Sequence, residues 1–156
     1  RVIEVVERAG IAPQLLKLEL TESLVIENVQ QTIATMKQLR HHGLCFSMDD
    51  FGTGQSSLTY LTQLPLHQLK IDQSFVRHMG QRHSDDVIVQ TIIGMARNLN
   101  LEVIAEGVET LEQRTMLARY GCELFQGYFF SPPVPVQKFE QLLRCTPVCD
   151  RTGMRA

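Results

Sequence analysis

Asp49 and Asp50 stand side by side in Met48-Asp49-Asp50-Phe51-Gly52-Thr53-Gly54-Gln55-Ser56-Ser57. The apolar run 45–48 before them reads as a short buried strand, and Ser56-Ser57-Leu58 opens a helix, so two carboxylates sit where a strand ends. Gly52 and Gly54 let the backbone turn sharply there. Adjacent acids in a confined site repel unless a proton or cation lies between them. A divalent ion is the simplest partner, because hard cations take oxygen ligands. Alone, an Asp-Asp pair is more often a solvated turn.

Four more strand ends change that balance. The first carries Glu19, with Glu22 just beyond, and the third carries Lys70 and Asp72. The fourth carries Glu106 and Glu109, and the fifth Gln126. One acid after a strand would merely suit the positive end of the next helix. Polar groups at five successive strand ends, within otherwise apolar strands, point instead to a common centre. So many acids around one lysine repel one another when empty, and metals would relieve that repulsion. Two ions about 3.5–4 Å apart suit attack of water on a phosphodiester.

The elements that position these ends alternate. Val2, Ile3, Val5 and Val6 give an opening helix closed by Gly10 and Pro13, and 16–20 is the first strand. Asn28 caps a helix bearing Ile33, Met36 and Leu39 that ends at Gly43. Strand two is 45–48. A short helix with Leu58 and Leu61 stops at Pro65, before strand three over 68–71. Ser84 caps a longer helix with Ile88, Ile92, Met95 and Leu99, and strand four is 101–105. Thr110 and Gln113 form a capping box for a helix that stops near Gly121, before strand five over 124–128. Pro132, Pro133 and Pro135 precede a last helix with Phe139, Leu142 and Leu143. Residues 145–156 show no periodicity and read as a tail.

This βα alternation predicts an α/β fold, a parallel sheet with helices outside. Either an open doubly wound sheet or a β/α (TIM-like) barrel fits, and the lack of a glycine-rich phosphate loop weakens the first. A barrel needs eight strands and about 250 residues. The 156 residues here therefore predict an N-terminally truncated part with about five strands. A net charge of −2 leaves no basic footprint for a nucleic-acid polymer or a membrane surface. No apolar run is long enough to span a bilayer. Cys45, Cys122, Cys145 and Cys149 match no disulfide framework or paired zinc motif, even with His41 and His42 nearby, and read as free thiols.

Glu-Leu-Thr-Glu-Ser at 19–23, Asp-Asp-Phe-Gly-Thr-Gly at 49–54, Leu-Lys-Ile-Asp at 69–72, Ala-Glu-Gly-Val-Glu-Thr at 105–110 and Gln-Gly-Tyr at 126–128 closely resemble the EAL-domain family. Their order and spacing match, and the resemblance runs from residue 1 to about 143. Domain limits of 1–144 for the C-terminal part of an EAL domain and 145–156 for a tail follow. The family comprises bacterial phosphodiesterases that linearise cyclic di-GMP to pGpG on a β/α barrel with magnesium or manganese. The resemblance implies that Glu19, Asp49 and Glu106 bind metal, with Asp50 on a second ion. It implies catalytic roles for Lys70, Glu106, Glu109 and Gln126, with Lys70 orienting or activating the water. Glu22 would anchor the loop over 52–57 that presents the two aspartates.

Gln55 stands where the family often has an aromatic residue. The Glu-Ala-Leu motif and a following asparagine ligand belong to upstream strands absent from this chain, so the 156 residues alone are expected to be inactive. The alternatives are a non-catalytic cyclic di-GMP receptor and, more remotely, an unrelated metal-dependent barrel enzyme. The resemblance further implies a homodimer, fusion to upstream sensory or GGDEF-type domains, and a cytoplasmic location, with any membrane anchor upstream.

Overall fold

Strand β1 (Lys17–Thr21) alternates Lys17, Glu19 and Thr21 on one face with Leu18 and Leu20 on the other, and this two-residue period decides which face holds the chemistry. The computed structural model describes residues 1–22, 24, 28–53 and 58–145. Helix α1 (Val2–Ala9) ends on Gly10 in the left-handed conformation and leads through a 3-10 turn at Pro13–Leu15 into β1. Then follow α2 (Val29–His41), β2 (Cys45–Phe51), α3 (Leu58–Leu61), β3 (Gln68–Ile71), α4 (Gln73–Arg77) and α5 (His83–Asn98). Strand β4 (Glu102–Ala105), α6 (Leu111–Tyr120), β5 (Leu124–Phe125) and α7 (Val136–Cys145) complete the order.

All the pairings are parallel and the strand order is β1-β2-β3-β4-β5. A doubly wound sheet reverses its order at a switch point; this one never does. It also curls. In a flat sheet β1 and β4 would lie roughly 14 Å apart, three spacings of the ladder. Here Lys17 of β1 reaches Glu102 of β4 at 3.6 Å. Sequential order and curling together make the five strands a barrel wall. Gln68 connects to the same interior layer, accepting from Ser47 Oγ at 3.2 Å and donating to Glu102 at 3.5 Å.

The apolar core lies between the outer face of the sheet and the helices. Leu69, Ile71, Val76, Val89, Ala96, Ala105, Val108 and Leu117 are all fully buried. Side chains at the two ends of the arc are not so covered: Leu15 is exposed near β1, and Phe130, Val136, Phe139 and Leu143 are exposed beyond β5. No helix among the described residues is long and apolar enough to cross a membrane. Cys45 and Cys122 are free; Cys122 is buried against the Leu124 carbonyl at 3.2 Å, and burial pushes its thiol up to about 11.

The caps expected at Asn28, Thr110–Gln113 and Gly121 are present. Ser84 is not a cap. It lies inside the first turn of α5, whose N-cap is Arg82, and its hydroxyl turns to Asp85. Strand two is longer than 45–48 and strand five shorter than 124–128. Beyond Phe125 the chain leaves the ladder because Val108 N–H donates to Gln126 O and Phe129 N–H to Val108 O. Helix α4 has no counterpart in the periodic pattern, its five residues being too few for a period. Cys145 is the last residue of α7; Cys149 and the rest of the expected tail, like Gln55, Ser56 and Ser57, lie outside the described residues.

The turn after β5 leaves no space at Gly127, where an added Cβ would sit 2.2 Å from Val108 O and 2.3 Å from its N. Gly94 in α5 has nothing within 4 Å. Gly127→Ala is expected to destabilise by about 2–3 kcal/mol in denaturant unfolding, while Gly94→Ala is neutral or gains up to about 1 kcal/mol. Equal effects from the two would refute this account of the turn.

Candidate functional site

Met48 pairs with Leu69 and Phe51 with Ile71, so two residues of β2, Asp49 and Asp50, face one residue of β3, Lys70. This is a β-bulge, which bends a strand and re-aims its side chains. Asp50 absorbs the extra residue at φ 53°, a left-handed conformation that Asp tolerates better than most residues. Its carbonyl accepts from Thr53 N–H at 3.3 Å and from Thr53 Oγ1 at 2.8 Å. Gly52 follows at φ 95°, packed over Phe75 and Ile92.

Asp49, two residues beyond the inward Ser47, lies on the same face as Lys70. The Lys70 ammonium lies 2.9 Å from Glu19, 3.0 Å from Asp49 and 2.8 Å from Glu106. These acids come from β1, β2 and the residue after β4, where Glu106 N–H donates to Ile71 O at 3.1 Å. The Lys70 side chain is 7% exposed, against 51%, 24% and 18% for its partners. Burial alone would lower the lysine, but the hydrogen bonds with Glu106, Glu19 and Asp49 outweigh it and hold the ammonium above its ordinary range. Glu106 is raised too: burial acts first, and repulsion from Asp49 and Glu19 adds to it against the lowering effect of Lys70. One cation shared among three acids cannot compensate each of them fully.

Asp50 stands apart from this cluster. Its carboxyl is raised by desolvation and by the neighbouring carboxylates of Asp49 and Asp72. Asp72 was noted at a strand end without a role, and the structure gives it two contacts: it neighbours Asp50, and it caps α4 by accepting from Ser74 N–H at 2.9 Å. Glu22 is buried, and both of its carboxylate oxygens lack a hydrogen-bond partner among the described residues. The anchoring contact expected of it is therefore absent over Gly52 and Thr53, and 54–57 lie outside the described residues. Glu109 and Gln126 lie at the same end of the sheet, but both are exposed and their side chains make no bond to the Lys70 cluster among the described residues. Their backbones do the visible work, Glu109 N–H in the α6 cap and Gln126 against Ala105 and Val108.

The profile of the EAL domain family matches residues 1–133. The chain belongs to that family. It is 49% identical over 138 residues to the cyclic di-GMP phosphodiesterase NbdA of Pseudomonas aeruginosa, covering 88% of this chain and 18% of NbdA. The structure of the MucR phosphodiesterase in complex with cyclic di-GMP superposes with a TM-score of 0.85 at 39% identity, covering 88% of this chain and 56% of that one. BlrP1 of Klebsiella pneumoniae, solved with manganese and cyclic di-GMP, gives a TM-score of 0.79 at 36% identity over 85% of this chain and 34% of that one. The chain thus spans less than a fifth of NbdA and a little over half of the MucR chain. EAL domains are TIM-like barrels, and the five-stranded arc is a wall of one.

Among the described residues no three His, Cys, Asp or Glu side chains enclose an ion by themselves; the Lys70 ammonium stands between the acids. The donor chemistry nevertheless fits a hard divalent cation. Three carboxylates meet one ammonium, which leaves two negative charges in excess, and every donor is an oxygen.

The electrostatics give a titration with a definite sign. A carboxyl with a raised folded value holds its proton more tightly when folded. Glu106 thus contributes its full stability below its ordinary value of 4.5, and that contribution is lost as pH rises through the folded value. In the metal-free protein, Glu106 should titrate above 4.5 by carboxyl NMR. Lys70→Met should move it higher still, because the lowering hydrogen bond and charge are gone. A Glu106 value unmoved by Lys70→Met would contradict the shared-cation geometry.

Proposed function

We propose that this chain supplies the C-terminal part, over 1–144, of a cyclic di-GMP phosphodiesterase that adds water across one phosphodiester bond and releases linear pGpG. The observation that carries the reading is the meeting of Glu19, Asp49 and Glu106 on Lys70 at the C-terminal strand ends. The phosphodiesterase identity of NbdA and the ligand in the MucR and BlrP1 structures support it.

In this reading Glu19, Asp49 and Glu106 would hold a magnesium or manganese ion, and Asp50 would serve a second. Bound ions of this kind lower the pKa of a coordinated water and offset phosphate charge. Lys70 would orient or activate the attacking water and steady charge near the phosphate. Glu106, a ligand in this reading, would be ionised when the ion is bound, so its metal-free proton affinity competes with the cation. Asp72 sets the charge around Asp50. Glu109 and Gln126 complete the polar rim toward the dinucleotide, and Glu22 keeps its anchoring role for 54–57. The active form is a cytoplasmic homodimer of a longer protein with an upstream sensory or GGDEF-type domain.

The test is conversion of cyclic di-GMP to pGpG by the full-length protein, followed chromatographically. Turnover should require magnesium or manganese and vanish with a chelator, and Glu19→Ala or Lys70→Ala should reduce it about 100-fold or more. Residues 1–156 alone should show no comparable rate. Tight dinucleotide binding without cleavage by the full-length protein would replace this reading with that of a receptor.

A further inference from the structure

We infer that Gln113 is a positioning residue for the carboxylate cluster, tying the segment after Glu106 to α4, on which the Asp49–Asp50 turn also rests. The inference rests on the phosphodiesterase reading for its effect on activity, but its geometry is independent of that reading.

Gln113 does more than cap α6. Its Oε1 accepts from Thr110 N–H at 3.0 Å, as a capping box requires, and also from Glu109 N–H at 2.8 Å. Its Nε2 then donates to Val76 O in α4 at 3.3 Å. A glutamate in this position would close the capping box equally well. Only the amide supplies the extra donor. The Val76 carbonyl also accepts from Met79 N–H and from the His78 cap N–H at the end of α4, so Gln113 joins a carbonyl already engaged by the helix terminus.

Helix α4 seats both acidic turns. An added Cβ on Gly107, next to Glu106, would lie 2.6 Å from Gln73 Cβ and 3.3 Å from Gln73 Cα. On Gly52, two residues after Asp50, it would lie 3.3 Å from Phe75 Cε2. Gln73 and Phe75 belong to the same five-residue helix. The segment 106–110 is held at its start by Glu106 N–H on Ile71 O and at its end by Gln113. Through Val76, that second fastening joins it to the helix that supports Gly52. Beside the Lys70 ion pairs and the bond of Glu106 to β3, α4 thereby links Glu106 to the Asp49–Asp50 turn, with Gln113 as the side chain that fastens one turn to it.

Gln113→Glu in the full-length protein separates capping from tying, because it keeps the acceptor and removes the donor. Gln113→Met removes both. Without metal, Gln113→Glu should unfold within about 2 °C of wild type. Its amides over 106–110 should exchange with deuterium about fivefold faster, the scale of one lost neutral hydrogen bond. Calorimetric Mn2+ affinity should fall by a similar factor, and kcat should fall with KM retained. Gln113→Met should repeat these changes and lower the unfolding temperature as well. Wild-type exchange over 106–110 and wild-type Mn2+ affinity in Gln113→Glu would overturn the inference. If wild type bound no Mn2+ and cleaved nothing, the phosphodiesterase reading would fall, and the exchange comparison would still decide the role of Gln113.

Discussion

The buried ammonium of Lys70 is the constraint on which the rest of this structure depends. Three carboxylates spaced evenly around a cation at about 2.9 Å lie roughly 5 Å from one another, so attraction outweighs mutual repulsion by about five to three. Remove the cation and only repulsion is left. The acids come from β1, β2 and the end of β4, so the arrangement is possible only if the sheet curls until non-neighbouring strands face one another. The Lys17–Glu102 contact one layer below records the same curvature. Curvature, sequential strand order and the polar cluster are three aspects of one geometry.

The bulge in β2 solves a local version of that problem. Regular pleating would send Asp49 and Asp50 to opposite faces of the sheet. Asp49, two residues beyond the inward Ser47, keeps the Lys70 face; the bulge after it returns Phe51 to the core face opposite Ile71 and leaves Asp50 as the extra residue, beside Asp72. The backbone consequence is absorbed at Asp50 and Gly52, and Thr53 closes the turn with two bonds to the Asp50 carbonyl. Rigidity beneath the turn comes from Phe75 and Ile92, which belong to helices that follow β3. The Asp49–Asp50 turn is therefore supported by elements later in the chain than the acids it carries.

Much of this was legible in the residues. Polar side chains at five successive strand ends marked the chemical face, and Asn28, Gly121 and the Thr110–Gln113 pair marked helix limits correctly. Those signals are local, arising from period and capping chemistry. What escaped was set by tertiary contacts. A bulge has no period, so β2 seemed to end at Met48. Helix α4 is too short for a hydrophobic stripe, and Ser84 resembles a cap because nothing in the sequence says that the helix begins at His83, two residues before the start that a Ser84 cap implies. Asp72 was visible as an acid, but its pairing with Asp50 depends on how two turns meet. Glu109 and Gln126 were placed at the right end of the sheet; their exposure follows from where their backbones are held, by the α6 cap and by Val108.

The exposure of the three acids carries its own argument. Glu106 and Asp49 are each flanked by strands on both sides and are 18% and 24% exposed, whereas Glu19, on the outermost strand β1, is 51% exposed. Water screens an ion pair in proportion to its access, so the Glu19–Lys70 bond is the weakest of the three despite its 2.9 Å length. A strand paired beside β1 would exclude that water and strengthen the bond without moving either partner. It would also raise the cost of leaving two excess negative charges in the cluster, since the effective dielectric falls with burial. Closing the wall therefore both tightens Lys70 on its acids and increases the attraction of the site for a divalent cation. The same desolvation would act on Glu106, already raised by burial, so ion affinity and proton affinity would rise together at one carboxylate. That competition is a direct consequence of placing three acids around a single lysine.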